Sequence, residues 1–191
     1  PGGAYDALGE LVAKSPVPII VKETGCGFDR VTANRLLETG IAAIDVGGMG
    51  GTSFTLIEGI RAATADDQRG ARLAQTFSTW GIPTACSVLE VRETGLPIIA
   101  TGGISDGLQA AKALSLGAHL VGIGRKILAA AVDGPEAAVE ELGLIIEEIK
   151  ISLALSDCRN LEEFAARQPV LSGQVALWQA RDKNLNKGGA D

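Results

Sequence analysis

The chain has 191 residues, 46% of them hydrophobic and 21% charged, enough apolar matter for one domain-sized core and too much for a disordered segment. A net charge of -6 and a pI near 4.9 exclude a general nucleic-acid binder, whose surface would be basic. No apolar run approaches the roughly 20 residues of a bilayer span, and no basic, apolar leader is evident, so neither a membrane partner nor a secretory route is expected.

Taken in chain order, the first element is a strand, "VPIIVKE" (17–23), ending on Lys22 and Glu23. "FDRVTANRLLETG" (28–40) follows as a helix, capped by Asp29 and stopped by Gly40. "AAIDVGG" (42–48) is the second strand. Residues 52–95 are rich in helix formers, and Pro83 favours a helix start. "LPIIAT" (96–101) is the third strand, "SDGLQAAKALSLG" (105–117) a helix and "HLVGIG" (119–124) the fourth strand. The longest helix falls on 134–156, and 184–191 reads as a polar, frayed tail. Apolar runs without alternation suit strands buried on both faces of a parallel sheet.

The strand–helix–strand unit occurs twice: Ile19 matches Ile98, Gly40 matches Gly117, and Gly47 matches Gly124. Four strands with their helices in 191 residues predict an α/β fold, half of a (β/α)8 barrel within a single domain over 1–191. An open doubly wound sheet would carry GxGxxG at its first turn, whereas "GCGF" (25–28) lacks the third glycine. Cys26, Cys86 and Cys158 form no metal-ligand spacing and read as ordinary thiols of a reducing cytoplasm. The first residue is Pro1, which makes a processed product or a fragment an expectation to test.

All four strands end in glycine-bearing loops, "KETGCG", "VGGMGGTS", "ATGGIS" and "GIGRK". In parallel α/β folds that edge carries the ligand. The last two loops, with Gly102, Gly103, Ile104 and Ser105 and then Gly124, Arg125 and Lys126, suit a phosphate held by backbone N–H groups and a cation. On this reading Gly102 and Gly103 are bare so that a phosphate oxygen can approach. Lys22 closes a buried strand and fits a Schiff-base amine, a fixed cation beside an anionic cofactor ring, or a solvated lysine paired with Glu23. Thr52 and Ser53 are either ligand donors or helix caps. His119 precedes its strand, at the opposite face, and is expected to be structural.

The stretches "VPIIVKETGCGF", "AAIDVGGMGGTSF", "WGIPTA" and "PIIATGGISDGLQAAKALSLGAHLVGIGR" resemble the C-terminal half of type 2 isopentenyl-diphosphate isomerase, from about Val17 to Leu155. The resemblance implies an FMN-binding barrel with Lys22 beside the flavin ring, Gly47 and Thr52 as flavin contacts, and phosphate loops at Gly103 to Ser105 and at Gly124 and Arg125. Where that family has proline after the second loop, this chain has Lys126. It further implies NADPH to reduce the flavin, Mg2+ held by a glutamate preceding this segment, isopentenyl and dimethylallyl diphosphate as substrates, and a homo-oligomer of four or eight chains. No catalytic or metal-binding residue is expected within the segment, and alone it is expected to be inactive. The competing readings are another FMN barrel, such as a 2-hydroxy acid oxidase, and a non-catalytic half-barrel that serves assembly.

Overall fold

The computed structural model describes residues 3–185. Four short strands, β1 (Ile20–Lys22), β2 (Ala43–Asp45), β3 (Ile98–Ala100) and β4 (Leu120–Val121), form one sheet in the order β1-β2-β3-β4. Every neighbouring pair is parallel, with Lys22 opposite Asp45, Asp45 opposite Ile99 and Ala100 opposite Val121. A doubly wound sheet reverses its strand order part-way, and this one does not. The layout is four consecutive βα units of an opened barrel.

Ten α-helices complete the described residues: α1 (Ala4–Lys14), α2 (Arg30–Leu37), α3 (Phe54–Thr64), α4 (Gln68–Thr76), α5 (Thr84–Val91), α6 (Gly107–Ser115), α7 (Arg125–Val132), α8 (Pro135–Leu155), α9 (Leu161–Ala166) and α10 (Gly173–Leu185). Their starts are chemically specified. Asp29 accepts the Thr32 N–H at 2.7 Å, Asp106 that of Gln109 at 2.7 Å, and Ser53 that of Leu56 at 3.3 Å. Pro83 sits one residue before α5, and Gly40 and Gly117 close the turns after α2 and α6. The strands are shorter than the apolar runs suggested: β1 begins only at Ile20 and β3 at Ile98, while β2 and β4 end at Asp45 and Val121, before their glycine loops. The expected frayed tail divides: 184 and 185 end α10, and 186–191 lie outside the described residues.

Strand alternation sorts the side chains into two faces. Ile19, Val21, Ile44, Val46, Ile98, Ala100 and Val121 enter the main core, packed against Ala33 and Leu36 of α2, Val88, Leu89 and Val91 of α5 and Ala113 of α6. A smaller cluster of Ala111, Cys158 and Phe164 joins α6 to α9 and the segment before it. The opposite face carries Ile20, Lys22, Ala43, Asp45, Ile99 and Leu120. Ile20 and Leu120, on the two edge strands, are 53% and 62% exposed. No helix among the described residues is long and apolar enough to cross a membrane.

Candidate functional site

The site grows from the C-terminal ends of the strands, where four loops meet. Lys22 ends β1 with its ammonium donating to Asp45 Oδ2 at 2.6 Å and to Thr101 Oγ1 at 3.0 Å. The Thr101 hydroxyl donates to Asp45 Oδ1 at 2.5 Å, and the Gly47 N–H donates to the same oxygen at 3.2 Å. Asp45 is thus saturated from three strand ends, while Lys22 keeps half its side chain exposed. Glu23, the mate of Lys22 in one of the alternatives weighed from sequence, does something else. Its carboxylate accepts the N–H groups of Gly25 at 2.7 Å, Cys26 and Gly27 at 3.1 Å, so the first glycine loop is folded around an internal anion. Alternation explains the correction, since Glu23 faces away from Lys22 and Asp45 lies opposite it in register.

The segment Trp80–Thr84 laces three loops together. The Ile82 N–H donates to Cys26 O at 2.7 Å, Met49 exchanges N–H and carbonyl with Ile82 and Thr84, and the Thr84 hydroxyl donates to Gly102 O at 2.6 Å. That is a physical reason for the "WGIPT" sequence. Among described residues the loops also line a shallow, open depression that includes Cys26, Met49, Thr52, Phe54 and Trp80. Burial raises the Cys26 thiol above its ordinary value, and the neighbouring Glu23 carboxylate adds to the rise.

Gly102 and Gly103 have positive φ, 114° and 81°, and side chains there would strike the carbonyls of Gly48 and Gly50. The β2 loop, then, is what lies against them on the Cβ side. Their outward N–H groups are a separate matter: among the described residues no acceptor meets the N–H of Gly103 or Ile104. The Ile104 side chain packs on the core. Ser105 is engaged by Gln109, whose Oε1 accepts its N–H at 3.1 Å. A side chain at Gly124 would meet nothing within 4 Å, and Arg125 opens α7, whose first N–H groups have no helical partner. Lys126 is held by Glu141 at 2.8 Å, a bond that raises its pKa, so Arg125 rather than Lys126 is the cation available at that loop.

The predicted residues therefore fall into three groups. Lys22 and Gly47 are joined through Asp45. Gly102 and Gly103 pack on the 48–51 loop. Gly124 and Arg125 follow β4, the immediate neighbour of β3. Thr52 is exposed and lines the depression, while Ser53 takes the capping role. His119 lies at the other end of β4, its Nδ1 accepting the Ile98 N–H at 3.1 Å. Sequence reasoning did not single out Asp45, Thr101, Thr84 or the true role of Glu23.

A family model described as FMN-dependent dehydrogenase matches residues 2–169. The chain belongs to the FMN-dependent dehydrogenase family. Curated proteins similar to this family member include the isopentenyl-diphosphate delta-isomerases of Thermococcus onnurineus and Thermococcus kodakarensis, each 47% identical over 178 residues. Each match covers 92% of this chain and 47% of the relative. The Stutzerimonas stutzeri isomerase is 45% identical over 152 residues, 78% of this chain and 43% of its own length. The chain spans about half the length of the curated relatives it matches. Among solved structures, a mandelate oxidase variant bound to a substituted 2-hydroxyphenylacetate ester superposes with a TM-score of 0.65 at 19% identity, covering 89% of this chain and 45% of that one. A Pediococcus acidilactici lactate oxidase gives 0.62 at 18% identity, covering 88% and 41%. At those identities the likeness is one of fold, and it agrees with the partial barrel seen in the strand order.

Proposed function

We propose that this FMN-dependent dehydrogenase family member is the C-terminal, flavin-binding half of an isopentenyl-diphosphate delta-isomerase, interconverting isopentenyl and dimethylallyl diphosphate. The observation that carries the reading is the pairing of a half-exposed, fixed Lys22 ammonium with Arg125 and with N–H groups that meet no acceptor among the described residues, at the same strand edge. Those donors fit the two ends of FMN. The N–H groups of Gly103 and Ile104, the first turn of α7 and Arg125 would hold the phosphate, and Lys22 would face the ring. FMN, when bound, supplies the reduced ring that carries out the proton transfer.

Every other task falls to the chain. Lys22 presents positive charge at its Nζ, Gly47 lets the β2 loop pass close to the Glu23 backbone while donating to Asp45, and the Trp80–Thr84 lacing holds the loops in register. Thr52 stands at the rim. In this reading Mg2+ is held, with the diphosphate, by residues that precede this segment. NADPH serves as reductant, and the enzyme is a cytoplasmic tetramer or octamer; free Cys26, Cys86 and Cys158 agree with that compartment.

The 2-hydroxy acid oxidase reading is weaker here, because that chemistry wants a histidine base at the flavin and His119 lies at the other end of its strand. A chimera separates the two. The matched segment of the Thermococcus kodakarensis isomerase is replaced by residues 1–191 and the product is loaded with FMN. We expect a yellow protein that isomerises isopentenyl diphosphate once the flavin is reduced. A folded, yellow chimera that does not isomerise, or that oxidises a 2-hydroxy acid, would overturn the proposal.

A further inference from the structure

We infer that Asp45 is a positioning residue for Lys22, acting with Thr101 to hold the lysine ammonium at the strand edge and to offset its charge; the flavin consequence rests on the reading of Lys22 given above. The three side chains come from three adjacent strand ends and close a ring of hydrogen bonds. Lys22 donates to Asp45 Oδ2 and to Thr101, and Thr101 donates to Asp45 Oδ1. Asp45 is only 10% exposed and stands in a strand otherwise made of buried apolar residues. A carboxylate there costs desolvation unless it is paired and hydrogen-bonded, and the ring meets both conditions. Lysine is a flexible four-carbon stem carrying a point charge, so an exposed ammonium by itself would sample many positions. Two acceptors at fixed strand positions remove that freedom.

The electrostatic consequence is separate from the geometric one. At 2.6 Å the carboxylate and ammonium make a nearly neutral pair as seen from a few ångströms away. A ring beside Lys22 would receive a directed N–H donor but only part of a full positive charge. Removing the Asp45 charge exposes the remainder.

The test has two arms that fail independently. In the first, the chain without flavin is acetylated with a neutral succinimidyl ester, and each lysine is followed by peptide mass spectrometry. Lys22 in Asp45→Asn should label about tenfold faster relative to Lys112, and in Thr101→Val about threefold faster, as the ion pair and the ammonium–hydroxyl bond respectively are lost. Equal relative rates in either variant that keeps the native circular dichroism spectrum would overturn the positioning role, so failure of one variant to fold leaves the other decisive. In the second arm the FMN-loaded protein is titrated with dithionite, and Asp45→Asn should raise the flavin potential. An unchanged potential alongside faster labelling would remove Lys22 from the flavin ring while leaving Asp45 as its anchor.

Discussion

The Glu23 carboxylate fills the N–H nest of residues 25–27 with the chain's own charge, so that loop is closed to an external anion, which suits the proposal that puts the phosphate donors at β3 and β4. The same carboxylate sits beside Cys26, whose thiol is raised first by burial and then by that charge. The sign is clear: a raised thiol pKa means less thiolate at neutral pH, so Cys26 should alkylate more slowly with iodoacetamide than free cysteine, with the gap closing as pH rises. Labelling across a pH series checks this. Arg125→Ala should weaken FMN binding about tenfold, read by fluorescence titration, with little effect on folding because its side chain is exposed. Gly103→Val is a poorer probe, since its side chain would collide with Gly50 whether or not a phosphate binds. Lys22 and the glycine loops were legible because strand ends and glycines announce themselves locally. Asp45 and Thr101 were not, being partners 56 residues apart, although an aspartate inside "AAIDVGG" was a signal that a buried charge needed a mate.

Helix placement was legible where caps are written in the sequence, as at Asp29, Ser53 and Asp106. It was not legible in α10, where a polar cluster adds to the packing of Val175 on the main core. Glu90, on α5 and 3% exposed, accepts the Trp178 indole N–H at 2.6 Å and the Arg30 backbone N–H at 3.0 Å. Arg181 approaches the same carboxylate at 3.7 Å and lies over the Trp178 ring. The cluster joins α2, α5 and α10, with 60 residues of sequence separating Arg30 from Glu90 and 88 separating Glu90 from Trp178, distances no local pattern encodes. Trp178→Phe keeps most of the ring packing and removes the donor, leaving a buried carboxylate oxygen short of a partner. That should cost about 1–3 kcal/mol in chemical denaturation. Trypsin should also cut after Arg167 sooner than in the parent chain, because α10 separates more often. Equal stability and equal cleavage would mean that apolar packing, not the Glu90 cluster, docks the helix.

At the scale of the whole molecule, the sheet is finished on one side only. The helix-facing side is a closed core, whereas the other carries the Lys22–Asp45 pair between Ile20 and Leu120, which stand exposed on the two edge strands. β1 and β4 each have one neighbour, so each presents a free edge of N–H and carbonyl groups. The fold class could be read from the repeated βα unit, but the open face could not, because sequence periodicity records which residues are apolar and not what lies against them. Relatives roughly twice as long have chain enough for four more units. In the 191-residue chain the parallel edges suit each other head to tail, and two copies supply the eight strands that close a barrel. Sedimentation velocity should therefore show concentration-dependent self-association. Replacing both Ile20 and Leu120 with threonine places a β-branched residue in each edge strand while removing apolar area from the open face, and should shift the boundary toward monomer. A chain that stays monomeric across the whole concentration range, with and without the substitutions, would mean that the face is stable in water as it stands.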